Sequence, residues 1–269
     1  MTPLEKRKAN TARRQAANRK RVLTGQRSVS AAISALATNF KRVNIPKNKF
    51  NVGTITSANN RYMSVRLSRK VINDLKAVYK KTWDERVEYA GSITFTVLNT
   101  RNYVKFNTPT ERTNRQLASV VPTPEDLNQY IVYHTHPVPQ HTNPLFTYPS
   151  ASDFTTYIQY YPAIQANIIL ENQGYYIIDL IETNMDKPNP VDVARKFNSL
   201  ISTQEFKKVS VPWTNLVYFQ TTPTQWKRTV NNYIDPIMRK EFRISVKYYT
   251  WDELGEITLL DKNVIMNVG

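Results

Sequence analysis

The chain has 269 residues, contains no cysteine and carries a formal net charge of +16. Without cysteine it can have neither a disulfide scaffold nor a Cys-type zinc site. No apolar run reaches the roughly 18 residues that suggest a transmembrane helix, and residues 1–30 lack the apolar core of a secretory signal peptide. The length allows one large domain, or one domain with appendages.

Residues 1–27 form a strongly basic segment, which we call the basic arm. It carries about half of the excess positive charge and contains one acidic residue, Glu5. Binding of such a segment to a polyanion releases counterions, so we expect residues 1–27 to bind nucleic acid or another acidic partner. A solvated disordered tail, a nuclear import signal and a transit peptide are alternatives that the sequence leaves open. The basic residues are Lys6, Arg7, Lys8, Arg13, Arg14, Arg19, Lys20, Arg21 and Arg27.

Residues 28–60 are predicted to form a helix followed by a linker. Apolar residues recur at helical spacing over 28–42. The stretch 44–60 contains Pro46, Gly53 and several asparagines, which is typical of a linker and allows one short strand. The main domain is predicted to span residues 61–186, and residues 187–269 are predicted to form a C-terminal extension packed on it.

The main domain is predicted to begin with a strand and an amphipathic helix. Apolar and polar residues alternate from Met63, and apolar residues recur at helical spacing over 69–83. A long strand is then predicted over 86–99, and it contains Glu88 in a mostly apolar context. That glutamate could equally be a solvent-facing side chain at a sheet edge. Further elements are predicted as a strand over 102–107 and a helix start at Pro122.

All three histidines of the chain lie in one short stretch, at positions 134, 136 and 141. The preceding residues, 130–133, are β-branched and aromatic, which predicts a strand leading into the histidines. Because side chains alternate along a strand, His134 and His136 should point the same way. Two histidines at this spacing could also be ordinary surface residues of a strand.

Ser150 and Asp153 are predicted to start a helix, with Ser150 as the N-cap and Asp153 in the first turn. Together with the strand end, this helix start could place two imidazoles and one carboxylate around a metal. A fourth position would remain for water, which is the arrangement of catalytic zinc sites. Taken alone, Ser-x-x-Asp is first of all a helix-capping pattern.

The stretch His134–Pro137, followed by Ser150–Asp153, resembles the H-x-H-P and S-x-x-D signature of the JAMM (MPN-plus, JAB) metalloproteases. Glu88 in Val87–Gly91 matches the context of that family's glutamate, and the resemblance covers roughly residues 60–183. It implies a JAB/MPN-like fold with a mixed β-sheet flanked by helices, a three-layer arrangement like that of cytidine deaminases. It also implies zinc as the cofactor. The implied roles are His134, His136 and Asp153 as zinc ligands, Glu88 as general base and Ser150 as donor to the tetrahedral intermediate.

The chain departs from the family pattern between His136 and Ser150. Thirteen residues separate them, several more than is usual in the family. The extra residues, around 140–146, could contact substrate, cover the site or obstruct it. They include His141, which the family pattern does not need. A three-histidine site, with Asp153 acting as a cap alone, is therefore an alternative.

The rest of the chain predicts further strands and helices of an α+β protein. A hairpin is predicted over 166–181 with its turn at 172–174, and helices over 191–202 and 223–242, the second divided at Pro236. Two closing strands are predicted over 243–251 and 256–266. Tyr and Trp residues among the basic residues of this part could form a nucleic-acid stacking surface or belong to the core.

The resemblance implies a metallo-isopeptidase that hydrolyses conjugates of ubiquitin or a ubiquitin-like protein. The alternative is a structural or assembly protein whose basic arm binds nucleic acid or a scaffold. The composition, rich in Asn, Lys and Tyr, and the basic arm would suit a protein of a large DNA virus. We therefore expect a cytoplasmic or nuclear protein, or a virion-associated one.

Overall fold

The computed structural model describes residues 51–58, 62–98, 103–114, 123–138, 141, 143–180, 187–210 and 217–259. They belong to one compact unit that begins at Asn51. The basic arm and the helix predicted over 28–42 lie outside the described residues. No described helix combines the length and the apolar character that crossing a membrane requires.

The described residues form fourteen strands, six α-helices and one π-helical segment. The strands are β1 Val52–Ala58, β2 Met63–Arg66, β3 Tyr89–Ile93, β4 Phe95–Val97, β5 Tyr103–Phe106, β6 Arg112–Thr113, β7 Ile131–Thr135, β8 Leu145–Phe146, β9 Ala166–Leu170, β10 Gly174–Leu180, β11 Lys207–Ser210, β12 Val217–Gln220, β13 Ile244–Thr250 and β14 Glu256–Leu259. The helices are α1 Arg69–Glu85, α2 Pro124–Leu127, α3 Ala151–Tyr160, α4 Pro190–Ser202, α5 Pro223–Arg228 and α6 Asp235–Phe242, with the π-helical segment Thr229–Ile234 between α5 and α6.

A six-stranded sheet lies at the centre of the fold, with the strand order β13-β10-β9-β7-β3-β6. β7 and β9 run parallel, and the other neighbours are antiparallel, so the sheet is mixed. A five-stranded sheet has the order β14-β2-β1-β5-β4, and a small third sheet the order β11-β12-β8. The predicted α+β class with a mixed sheet and helices is therefore confirmed.

The two faces of the central sheet pack against different elements. Tyr133 of β7 belongs to a core shared with α1 and the five-stranded sheet. Its neighbour Val132 belongs to a second core shared with the helices α3 to α6. Because side chains alternate along β7, the residue after Tyr133 faces the second group of helices. This alternation decides which face of the sheet receives His134.

The single strand predicted over 86–99 is wrong, because the chain changes sheets in its middle. β3 pairs with β6 and β7 in the central sheet, whereas β4 pairs with β5 in the five-stranded sheet. Thr94, between them, belongs to neither strand. α1 ends at Arg86, whose backbone is left-handed with φ 56°. Glu88 therefore lies after the helix, and it immediately precedes β3.

Strands on both sides of the predicted main domain pair with strands inside it. β1 is the short strand that the linker prediction allowed, and it pairs with both β2 and β5. The predicted C-terminal extension is built into both large sheets, since β13 pairs with β10 along its whole length and β14 pairs with β2. The N-terminal end of the described chain therefore completes the five-stranded sheet, and its C-terminal part contributes a strand to each of the two large sheets.

Candidate metal centre

His134 lies in β7 and His136 directly follows that strand, and both side chains lie on one side of the central sheet. His134 lies opposite Ala90 of β3 in the ladder, and the His136 backbone N–H donates to the carbonyl of Leu170 at 2.8 Å. Thr135, between them, points to the other side, where its hydroxyl accepts from the Thr82 hydroxyl at 2.7 Å. The prediction that His134 and His136 point the same way is confirmed.

The start of α3 delivers the carboxylate. The Ser150 backbone N–H donates to Asp153 Oδ2 at 2.6 Å, and the Asp153 backbone N–H donates to Ser150 Oγ at 3.3 Å. These reciprocal bonds form a capping box, so the predicted N-cap is confirmed. The same carboxylate also faces the histidines, with Oδ1 2.9 Å from His134 Nε2 and Oδ2 3.3 Å from His136 Nε2. Asp153 is therefore both a member of the helix cap and a possible metal ligand.

His134, His136 and Asp153 form a group that could hold a metal ion. The two Nε2 atoms are 3.2 Å apart. Ligands placed tetrahedrally around zinc at its usual bond lengths would be about 3.3 Å from one another. The separations to the carboxylate involve both of its oxygens, and one ligand atom from each of the three residues lies within 4.8 Å of the other two. His136 and Asp153 are 7% and 8% exposed. The chemistry and spacing of the donors therefore fit a buried divalent cation.

The three-histidine alternative is wrong for the described part of the chain. His141 is exposed and does not belong to the group of possible ligands. Its Nδ1 instead accepts the backbone N–H of Asn143 at 3.2 Å. The ring of His141 is thus engaged in a local hydrogen bond of the loop.

Electrostatic attraction within the group shifts the pKa values of His134 and Asp153. Burial by itself would lower the pKa of His134, but the Asp153 carboxylate, with a smaller contribution from Glu88, raises it. Burial would raise the pKa of Asp153, yet the two histidines hold it well below its usual range. The site therefore stabilises an ionised carboxylate, which is the form that binds metal.

Glu88 and Ser150 line the same cleft as the three possible ligands, and the cleft has a volume of about 440 Å³. Glu88 precedes Ala90 by two residues, and Ala90 is the partner of His134 across the ladder. The carbonyl of Glu88 accepts the Thr113 hydroxyl at 2.6 Å, which anchors its backbone to β6. Ser150 Oγ lies 2.6 Å from the hydroxyl of Ser152 at the mouth of α3. All five residues implied by the resemblance thus lie at one cleft.

Comparisons of the chain with protein-family models, with curated proteins and with solved structures found no match. The resemblance to the JAMM metalloproteases therefore depends on the residues quoted above and on their arrangement around the cleft.

The long loop after His136 contributes to the wall of the cleft. Its second half forms β8, which pairs with β12, a strand near the C-terminal end of the described chain. The residues that follow, Thr147 and Tyr148, line the cleft. Val138 at the start of the loop is buried with Leu145 and Tyr218. Because Thr147 and Tyr148 follow the extra residues around 140–146, the three roles considered for those residues stay predictions.

Asn167 is a cleft residue that the sequence analysis missed. It lies in β9, is 3% exposed and lines the cleft, and a hydrogen bond from its side chain contributes to raising the pKa of His134. A hydrogen bond to a histidine ring fixes the orientation of the ring, as the outer partners of metal-binding histidines do. One signal was present in the sequence, since this asparagine interrupts an otherwise apolar strand.

Proposed function

We propose that the chain is a zinc-dependent peptidase or isopeptidase of the JAMM type, which hydrolyses conjugates of ubiquitin or a ubiquitin-like protein. One observation carries the proposal: two imidazoles and a carboxylate converge at metal-ligand spacing in a cleft that also contains a glutamate. A mixed sheet with helices on its face supports a JAB/MPN-like fold.

His134, His136 and Asp153 would hold the zinc ion. When bound, zinc lowers the pKa of a water molecule towards neutrality and polarises a carbonyl group. Two nitrogen ligands and one oxygen ligand leave a fourth position for that chemistry. The buried capping box fixes the Asp153 carboxylate before any metal arrives, so little ordering is needed on binding.

Glu88 would move the proton. Its carboxylate accepts a proton from the attacking water and delivers it to the nitrogen of the leaving amine. The Ser150 hydroxyl donates a hydrogen bond to the carbonyl oxygen as negative charge develops on it. The capping box and Ser152 hold Ser150 at the helix start, so its oxygen is positioned independently of substrate.

The size of the cleft supports an extended substrate. A volume of about 440 Å³ suits a few residues of peptide and excludes a folded domain. The flexible C-terminal tail of a ubiquitin-like protein, joined to a lysine side chain, has this form. The folded part of the substrate would then contact the surface around the cleft.

The test combines metal content with cleavage of di-ubiquitin or of a ubiquitin–peptide fusion. We expect about one zinc ion per chain and cleavage that a chelator abolishes. Glu88→Gln should retain zinc and lose roughly 10²–10⁴-fold in turnover. Full activity of Glu88→Gln would overturn the role of Glu88, and purified protein that binds no divalent metal would overturn the proposal.

The second candidate is a structural or assembly protein, and the charge of the basic arm favours it. Salt-dependent binding of DNA or RNA that disappears on removal of residues 1–27 would support this function. Retained binding after that deletion would exclude the basic arm as the site.

A further inference from the structure

A second cleft lies beside α1, on the face of the central sheet opposite the metal centre. It has a volume of about 590 Å³ and lies between α1, the β9–β10 turn and the turn after β13. We call it the α1 groove. The residues of its wall that matter here are Lys76, Lys80, Trp83, Asp84, Asn172 and Trp251.

One wall of the α1 groove is an aromatic surface held in place by hydrogen bonds. The indole N–H of Trp251 donates to the carbonyl of Asn172 at 2.9 Å, and Arg69 Nη1 donates to the Trp251 carbonyl at 2.9 Å. The ring of Trp251 also packs against Tyr79, with centroids 6.2 Å apart. This wall is therefore preorganised and needs no rearrangement to receive a ligand.

Trp83 is an aromatic residue that lines the α1 groove. It lies in the last turns of α1 and is half-buried. Within the described residues it stacks on no other aromatic ring, unlike Trp226, which stacks on Phe146 with centroids 5.1 Å apart. Most Tyr and Trp side chains in the C-terminal part of the described chain belong to the core, so they do not form the stacking surface considered there.

Two lysines place unneutralised positive charge beside that face. Lys76 and Lys80 are exposed and one helical turn apart, and neither has an acidic partner within 4.0 Å among the described residues. Other lysines of the same helix are paired, since Lys70 binds Asp74 and Lys81 binds Glu111. One acidic residue, Asp84, lines the groove. The groove therefore attracts an anion at two points along α1.

We propose that the α1 groove binds single-stranded nucleic acid. One base stacks on Trp83, and phosphates on either side of it contact Lys76 and Lys80. Proteins that bind single strands combine a positively charged groove with aromatic side chains in this way. An acidic peptide would pair with the lysines but leave the indole faces unused, and a base in a duplex has its faces covered by its neighbours. The ligand that uses both features is an unpaired strand.

The test is binding of a short labelled oligothymidylate to the full-length chain, measured by fluorescence anisotropy at several salt concentrations. Charge reversal in Lys76→Glu/Lys80→Glu should weaken binding at least tenfold. Trp83→Ala should weaken it by roughly tenfold, in the range of one stacked base, and this loss should persist at high salt, where the contribution of the basic arm is small. The matched control is Lys207→Glu/Lys208→Glu, an exposed lysine pair on β11 outside the groove.

Three outcomes decide the proposal. Equal weakening by the control pair, or none by the groove variants, would show that the α1 groove is not the site. An abasic strand that binds as tightly as the oligothymidylate would exclude stacking on Trp83. A poly-glutamate peptide that displaces the oligonucleotide at equal charge would identify an acidic protein as the ligand and overturn the proposal. Thermal unfolding must be unchanged in Lys76→Glu/Lys80→Glu, which alters exposed side chains alone.

Discussion

Asp153 Oδ1 lies 2.9 Å from the Nε2 of His134, while the other oxygen of the same carboxylate accepts the backbone N–H that begins α3. One side chain thus joins the end of β7 to the start of a helix. Without metal, the carboxylate is stabilised by the cap and by the imidazoles. The group is therefore assembled before a metal ion binds, and removing Asp153 should affect both metal content and stability.

Two substitutions of Asp153 separate these effects. Asp153→Ala removes both the cap acceptor and the ligand, so metal should be lost and the free energy of unfolding should fall by roughly 1 kcal/mol even without metal. Asp153→Asn keeps an oxygen for the cap but is a much poorer ligand, so metal should be lost with a smaller change in metal-free stability. Elemental analysis and urea unfolding in chelator measure the two quantities. Unchanged metal content in Asp153→Ala would remove this residue from the ligand set.

Metal affinity should depend on pH through His134. Although burial opposes it, the Asp153 carboxylate raises the pKa of this imidazole, and metal binds the neutral form. Affinity should therefore fall as the pH drops through the raised pKa, by about tenfold per pH unit for one displaced proton. Competition with a chelator dye over a pH series measures this slope. His141→Ala is the matched control and should leave the curve unchanged, and a flat curve in the wild type would contradict the prediction.

Glu171 should make the fold less stable as the pH rises. This carboxyl is fully buried, and burial raises its pKa well above that of an exposed glutamate. Above the unfolded pKa of about 4.3, the folded chain keeps a proton that the unfolded chain releases, so the free energy of unfolding falls with rising pH until the folded pKa is reached. Glu171→Gln has no proton to lose and can still accept the Thr147 N–H, so this decline should disappear.

Urea unfolding of wild type and Glu171→Gln over a pH series tests this prediction. Asp179 provides an internal reference, because burial raises its pKa to about 6 and its contribution should remain in both proteins. The contribution of Asp179 to the pH dependence of the free energy of unfolding should be the same in both proteins. The contribution of Glu171 should be present in the wild type alone, so the wild type should lose more stability at high pH. Parallel curves throughout would show that Glu171 is ionised in the folded chain.

Arg86→Gly should stabilise the chain. Arg86 ends α1 with φ 56°, a left-handed conformation that costs a non-glycine residue about 1 kcal/mol and that glycine adopts freely. We expect the free energy of unfolding to rise by roughly 0.5–1 kcal/mol. The matched control is Lys76→Gly in the middle of the same helix, which should lower stability by about 1 kcal/mol. A loss of stability in both variants would mean that the Arg86 side chain makes a contribution larger than the backbone cost.

The features that the sequence predicted well depend on neighbouring residues. The alternation around His134 and the cap at Ser150 are local, so the orientation of two imidazoles and the position of Asp153 in a first helical turn could be predicted. The hairpin of β9 and β10 was predictable for the same reason, because its turn lies between two apolar runs. The approach of the strand end at His134 and the helix start at Ser150 to one another was inferred from the ligand chemistry of their side chains and from a resemblance, and no local pattern required it.

Sheet membership could not be predicted in this way. The chain leaves the central sheet at Thr94 because β4 pairs with β5, and β8 exists because its partner β12 lies about seventy residues further along. Where each strand ends depends on which other strand lies close enough to pair with it. A single run of β-forming residues does not show which strand that is.

The amino-acid sequence by itself determined the candidate donors, His134, His136 and Asp153, and the local backbone that presents them. The tertiary structure alone decided that these donors meet at about 3 Å, that Glu88 shares their cleft and that His141 does not join them. The reason is physical: hydrogen bonding and side-chain alternation act between near neighbours, whereas the convergence of ligands requires β7, β3 and α3 to pack on one sheet.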